Sequence, residues 1–140
     1  GEKLYEEIVG DLGESLHISK NETFLLVPIP LHTKRLRARG YNQSELIARA
    51  ILKNDPGNIF ESAPKALIRT RETKPQAKSE KRVARFENLR DAFHADLALV
   101  RGKNILLIDD VATTGATLSE ARKALLSAGA RSVRAYAVAH

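Results

Sequence analysis

The chain has 140 residues, 43% of them hydrophobic, a formal net charge of +6 and no cysteine. That length suits one domain around one core; the absence of cysteine excludes disulfides and thiolate zinc sites, and no apolar run reaches the roughly eighteen residues of a membrane span. The positive charge suits a polyanion, either nucleic acid or a polyphosphorylated small molecule, although aromatic residues, at 5%, are sparse for a single-strand stacking platform.

The first residues, "GEKLYEEIVG", are charged and amphipathic and carry no signal-peptide pattern. Leu4, Ile8, Leu12 and Leu16 recur four apart, a helical stripe over residues 4–16. "TFLLVPIP" is a short apolar run stopped by Pro28 and Pro30, which predicts a buried strand over 24–29 that ends in a stiff loop. The basic run "KRLRAR" follows at 34–39. "SELIARAIL" predicts a helix with apolar residues at 47, 50 and 51, ended by "NDPG", and "KALIRT" predicts a strand. "RETKPQAKSEK" is polar and charged, the best candidate for a mobile loop, and belongs to a second basic group spanning 69–85. Such charge runs are commonly solvated faces. Residues 80–90 read as helix, and Ala92 to His94 as a short strand. "NILLI" is a strand, "TLSEARKALLSA" a helix with Gly129 as its C′ residue, and "SVRAYAVA" a closing strand. Strands separated by helices predict an α/β fold, a mostly parallel sheet with helices on both faces. His17, His32, His94 and His140 are scattered, without metal-ligand spacing.

In such a sheet a ligand sits beyond the carboxyl ends of the strands. Two strands end in unusual loops there: 24–29 in "PIPLH" and 105–108 in "DDVATTGAT". If the two ends are neighbours, both loops line one crevice. A strand-to-helix turn of small residues offers backbone N–H groups at a helix N-terminus, which attract phosphate. Gly115 allows close approach, and Thr113, Thr114 and Thr117 add hydroxyls. The carboxylates of Asp109 and Asp110 would repel that phosphate. They instead suit vicinal hydroxyls and developing positive charge. A ribose 5-phosphate supplies hydroxyls and phosphate one ring-width apart. The same residues also have purely structural readings: Thr117-x-x-Glu120 fits a capping box, and Asp110 fits an ordinary turn.

"ILLIDDVATTGAT" resembles the phosphoribosyl-pyrophosphate (PRPP) signature of type I phosphoribosyltransferases. "VPIPLHTKRLRARGYNQSELIA" and "RTRETKPQAKSEKRVARFENLRDAF", taken with it, resemble the three motif blocks of the ComF family of competence-associated phosphoribosyltransferase-like proteins, with "RGYNQ" selecting that subfamily. The resemblance implies the type I fold with a flexible loop and a transfer of the phosphoribosyl group from PRPP to an unidentified nucleobase or amine. It assigns the ribose hydroxyls to Asp109 and Asp110, as the catalytic pair. The 5-phosphate falls to Val111, Ala112, Thr113, Thr114, Gly115, Ala116 and Thr117. Pyrophosphate falls to Pro30, Leu31 and His32, where a strained or cis peptide is common in the family, and to Arg71, Lys74 and Gln76 in the loop that closes over it. Mg²⁺ is expected to arrive with PRPP, with no metal ligand supplied directly by the protein. One domain is expected over 1–140, with 1–23 as hood or N-terminal helix and 24–140 as core. Many ComF-family chains carry an N-terminal cysteine-rich zinc module, which in this cysteine-free chain is expected to be absent or cut away. The expected setting is the cytoplasm, off the membrane, with room for a homodimer and for a role in DNA uptake. The alternative is a non-catalytic PRPP-sensing or adaptor protein in DNA uptake.

Overall fold

The computed structural model of the chain describes residues 6–8, 10, 23–31, 37–38, 40–70, 92–111 and 116–139. Among them, strand β1 (Phe24–Pro28) is buried at every residue, the pattern of a central parallel strand covered on both faces. Helix α1 (Gln43–Lys53) follows, then β2 (Phe60–Ser62). Next come β3 (Leu67–Arg69), β4 (Phe93–Ala95) and the single-turn helix α2 (Leu97–Val100). Strand β5 (Asn104–Val111), helix α3 (Ala116–Ser127) and strand β6 (Ser132–Ala139) complete the order.

Four strands form a parallel sheet in the order β2-β1-β5-β6, and β3 and β4 form a separate antiparallel pair. The two-residue alternation along the strands sorts the core into two faces. Leu25, Val27, Ile105, Leu107 and Val133 pack with Ala121 and Leu125 of α3 and with Leu67, Phe93 and Ala95 of the β3–β4 pair. Phe24, Leu26, Leu106 and Ile108 pack on the other face with Ala48 and Ile51 of α1, with Phe60, and with Ile8 from the helical turn at residues 6–8. Each fully buried side chain of this size contributes roughly 1.5–3 kcal/mol of transfer free energy. The predicted cover of both faces is therefore present.

Local chemistry fixes the element ends. Asn42 caps α1, its side chain accepting from the Ser44 N–H at 3.0 Å. The Asp55 carboxylate then receives the N–H groups of Ile59 and Phe60 at 3.1 and 2.8 Å, which turns the chain back into β2. Gly129 takes φ +97, and hydrogen bonds from Ala130 to the Leu125 carbonyl and from Gly129 to the Leu126 carbonyl end α3 in a Schellman motif.

Several boundaries differ from the sequence reading. The buried face of α1 is Ser44, Ala48 and Ile51, whereas Ala50 is only half-buried. Strand β4 is Phe93–Ala95, one residue beyond the expected span, because its pairing with β3 runs Leu67↔Ala95 to Arg69↔Phe93. Neither β2 nor α2 is visible as a pattern: only Phe60 of β2 is buried, and α2 is one turn capped by Asp96. Of the stripe at 4–16, only residues 6–8 and 10 are described, and the expected helix at 80–90 lies outside the described residues.

Candidate active site

Strand β1 connects through α1 to β2 on one side, and β5 connects through α3 to β6 on the other. The helices cover opposite faces, so the strand order reverses between β1 and β5. Such a switch point is where open α/β sheets hold ligands, beyond the carboxyl ends of the strands. The register is Phe24↔Asn104 through Pro28↔Ile108, which makes the carboxyl ends of the two strands neighbours. Pro28 is tolerated in this central strand because β1–β2 pairing has already ended at Leu26↔Ser62; the N–H that proline lacks has no ladder partner there.

The β1–β5 ladder stops at Ile108, but β5 continues. Pairing with β6 carries it through Asp109↔Ala137 to Val111↔Ala139. The expected strand, ending at Ile108, is therefore too short, and Asp109 and Asp110 are strand residues, which removes the turn reading of Asp110. The longer ladder to β6 is the physical reason. Beside β1 this leaves a step in the carboxyl edge of the sheet, filled by the departing chain: the Ile29 N–H donates to the Ile108 carbonyl at 2.8 Å, and Pro30 and Leu31 follow, both half-buried. Asp109 is 9% exposed, directly after the fully buried Ile105–Ile108 run. Alternation carries it onto the face of Ile105 and Leu107.

Val111 ends β5, and Ala116 and Thr117 begin α3. The predicted phosphate loop thus lies between the end of a strand and the start of a helix. Thr117 lies inside the helix rather than ahead of it, which removes the capping-box reading based on that residue. Ala112, Thr113, Thr114, Gly115, His32, Arg71, Lys74 and Gln76 lie outside the described residues. The segment holding Arg71, Lys74 and Gln76 leaves and returns at one point, where Thr70 donates from its N–H (2.7 Å) and its Oγ1 (3.2 Å) to the Ala92 carbonyl. Among the described residues there is no cis peptide bond. Of the basic groups, Arg37 is exposed and Arg69 is half-buried with its guanidinium 5.1 Å from the centre of the Phe93 ring, a cation–π contact rather than a solvated charge.

Asn42 was not singled out from sequence as a site residue. Besides capping α1, it donates from Nδ2 to the Ile29 carbonyl at 3.0 Å, binding the β1 exit to the helix. The signal was present: Asn42-x-x-Glu45 ahead of an amphipathic run is a helix-start pattern. Two surface clefts, about 330 and 350 Å³, lie elsewhere. One runs between β4 and α3 past His94, Glu120 and Lys123, and the other lies beside Glu61, Lys65 and Lys103. Neither is lined by Asp109, Pro30 or Leu31. Among the described residues no helix is long and apolar enough to cross a membrane.

Comparison with known proteins gives a consistent placement. Residues 45–140 match the phosphoribosyl transferase domain family. The chain is 37% identical over 106 residues to the competence protein ComFC of Bacillus subtilis, covering 76% of this chain and 40% of that one. It is 34% identical over 111 residues to the DNA utilization protein YhgH of Escherichia coli K12, covering 79% and 47%. Competence protein F of Haemophilus influenzae is 29% identical over 118 residues, covering 81% and 49%. The chain thus spans about half the length, or less, of these curated relatives. Among solved structures, a phosphoribosylpyrophosphate synthetase from Mycobacterium smegmatis superposes with a TM-score of 0.53 at 19% identity, over 96% of this chain and 32% of that one. A hypoxanthine phosphoribosyl transferase from Trypanosoma cruzi gives 0.53 at 13%, over 97% and 60%. At those identities the likeness establishes the fold, a mostly parallel sheet of the type I kind. The chain belongs to the phosphoribosyl transferase domain family, in the ComF-type branch marked by the competence proteins it resembles.

Proposed function

We propose that the chain binds PRPP with Mg²⁺ at the carboxyl ends of β1 and β5 and transfers its phosphoribosyl group to a nucleobase or amine. The observation that carries the proposal is the parallel register ending at Pro28↔Ile108, with Ile29 bonded to the Ile108 carbonyl. It supports a shared site for the carboxylate pair and the Pro30–Leu31 loop at the switch point. In this reading the ribose hydroxyls donate to Asp109 and Asp110, and the 5-phosphate lies on the turn before α3. Pyrophosphate lies toward Pro30, Leu31 and His32, with Arg71, Lys74 and Gln76 closing from the far side.

The reaction forms a bond from the acceptor nitrogen to the anomeric carbon and breaks the bond from that carbon to pyrophosphate. The acceptor loses its proton, and pyrophosphate departs with the bonding pair. Positive charge develops on the ring, and the carboxylates of Asp109 and Asp110 would stabilise it. Mg²⁺, a hard cation that keeps waters and substrate phosphates as ligands, would arrive on PRPP, with Asp109 and Asp110 left to the ribose hydroxyls. When bound, the ion would offset the charge of the leaving pyrophosphate.

Calorimetric titration with PRPP, with and without Mg²⁺, tests the binding. Pyrophosphate release across a panel of nucleobases and amines tests the transfer. Saturable Mg²⁺-dependent binding with release on at least one acceptor is the expected result, and no heat at millimolar PRPP would reject the proposal. The names of the relatives, competence protein and DNA utilization protein, favour a second reading: an adaptor in DNA uptake that binds PRPP without turning it over. Binding without release on any acceptor is the outcome that reading requires.

A further inference from the structure

The peptide between Ile29 and Pro30 stands at the point where β1 gives way to the loop beside Asp109. Proline has no N–H, so the Ile29 carbonyl is the one hydrogen-bonding group on that peptide plane. It is held by the Asn42 side chain, Nδ2 to O 3.0 Å. The other face of the same amide group, Oδ1, accepts the Ser44 N–H at 3.0 Å. Ile29 is itself buried, 4% exposed, and its N–H is fixed on the Ile108 carbonyl. Asn42 is therefore the third point of a frame whose other two are β5, one residue before Asp109, and the N-terminus of α1. This part-buried carbonyl left without its donor is unfavourable, so loss of Asn42 frees the peptide to rotate toward another partner and re-aims Pro30 and Leu31.

We infer that Asn42 is a positioning residue for the pyrophosphate end of the site: it sets the orientation of the Ile29–Pro30 peptide and hence of the Leu31 backbone, without touching the substrate. This rests on the PRPP reading above. It assigns two separable tasks to one side chain, helix capping by the oxygen and loop orientation by the nitrogen. Sequence reading treats "RGYNQ" as a family marker and gives Asn42 neither task.

Two variants separate the tasks. Asn42→Ser keeps a capping hydroxyl but cannot reach Ile29, and Asn42→Asp keeps the capping acceptor but has no donor. Both should retain most of the thermal stability. In calorimetry with Mg²⁺ they should bind PRPP about tenfold more weakly, the equivalent of about 1.4 kcal/mol, while ribose 5-phosphate, which lacks the pyrophosphate, stays within about twofold. In ligand-free ¹⁵N spectra, the Leu31 amide should move in both variants while the Asp109 amide moves little. An unmoved Leu31 amide, or equal losses for PRPP and ribose 5-phosphate, would overturn the inference. A wild-type chain that binds neither ligand would instead reject the PRPP reading, and the Leu31 shift would still report whether Asn42 orients the loop.

Discussion

Two backbone N–H groups, those of Ile59 and Phe60, end on the carboxylate of Asp55. Hydrogen bonds to a charged acceptor each contribute roughly 1.5–3 kcal/mol, and these two start the edge strand that buries Phe60 against Phe24, ring centroids 6.3 Å apart. Asp55→Ala should lower the free energy of unfolding by about 2 kcal/mol, read as a drop in urea midpoint at unchanged slope; a midpoint within error of wild type would remove Asp55 from this role. Gly115 carries a prediction that comes from the sequence pattern, since the turn of 112–115 lies outside the described residues. A valine side chain there would occupy the space a phosphate needs. Gly115→Val should abolish PRPP binding in calorimetry, and unchanged affinity in a folded variant would count against a phosphate site in that turn.

At the scale of elements, what was legible from sequence followed from how much of each element is buried. Strand β1 and the apolar part of β5 are buried on both faces and read directly as unbroken apolar runs. Helix α3 was legible because its cap residue is a glycine with φ +97. The far end of β5 was not legible, since two carboxylates and a valine look like a turn until β6 is known to run alongside them. The short elements β2 and α2 depend on single side chains, Asp55 and Asp96, which no periodicity reveals. The candidate site was legible as a motif, two carboxylates followed by a threonine- and glycine-rich segment, but that the exit of β1 runs beside the Ile108–Asp109 end of β5 follows only from the register of the two strands. The end of α3 yields a test. A Cβ on Gly129 would meet the Arg101 side chain at 3.3 Å in a left-handed backbone conformation. Gly129→Ala should therefore cost about 1–2 kcal/mol, seen as a lower melting temperature. A neutral or stabilising change would mean that the Schellman turn relaxes freely.

The whole molecule carries a net charge of +6, which either a nucleotide-like substrate or DNA could explain. If the basic groups serve the pyrophosphate end of the site, DNA binding should be weak and non-specific, on the order of 10⁻⁴–10⁻⁶ M at physiological salt, and should fall steeply as salt rises. PRPP with Mg²⁺ should displace it. Fluorescence anisotropy with labelled single- and double-stranded oligonucleotides decides this: nanomolar binding that PRPP leaves intact would make the adaptor reading the better one. PRPP is proposed to bind where β1 and β5 end rather than in either surface cleft. A ¹⁵N-resolved NMR titration with PRPP and Mg²⁺ measures it directly. Saturable shifts concentrated at Leu31, Asp109, Asp110, Val111 and Thr117 are expected. Shifts concentrated instead at His94, Glu120 and Lys123, or at Glu61, Lys65 and Lys103, would contradict it.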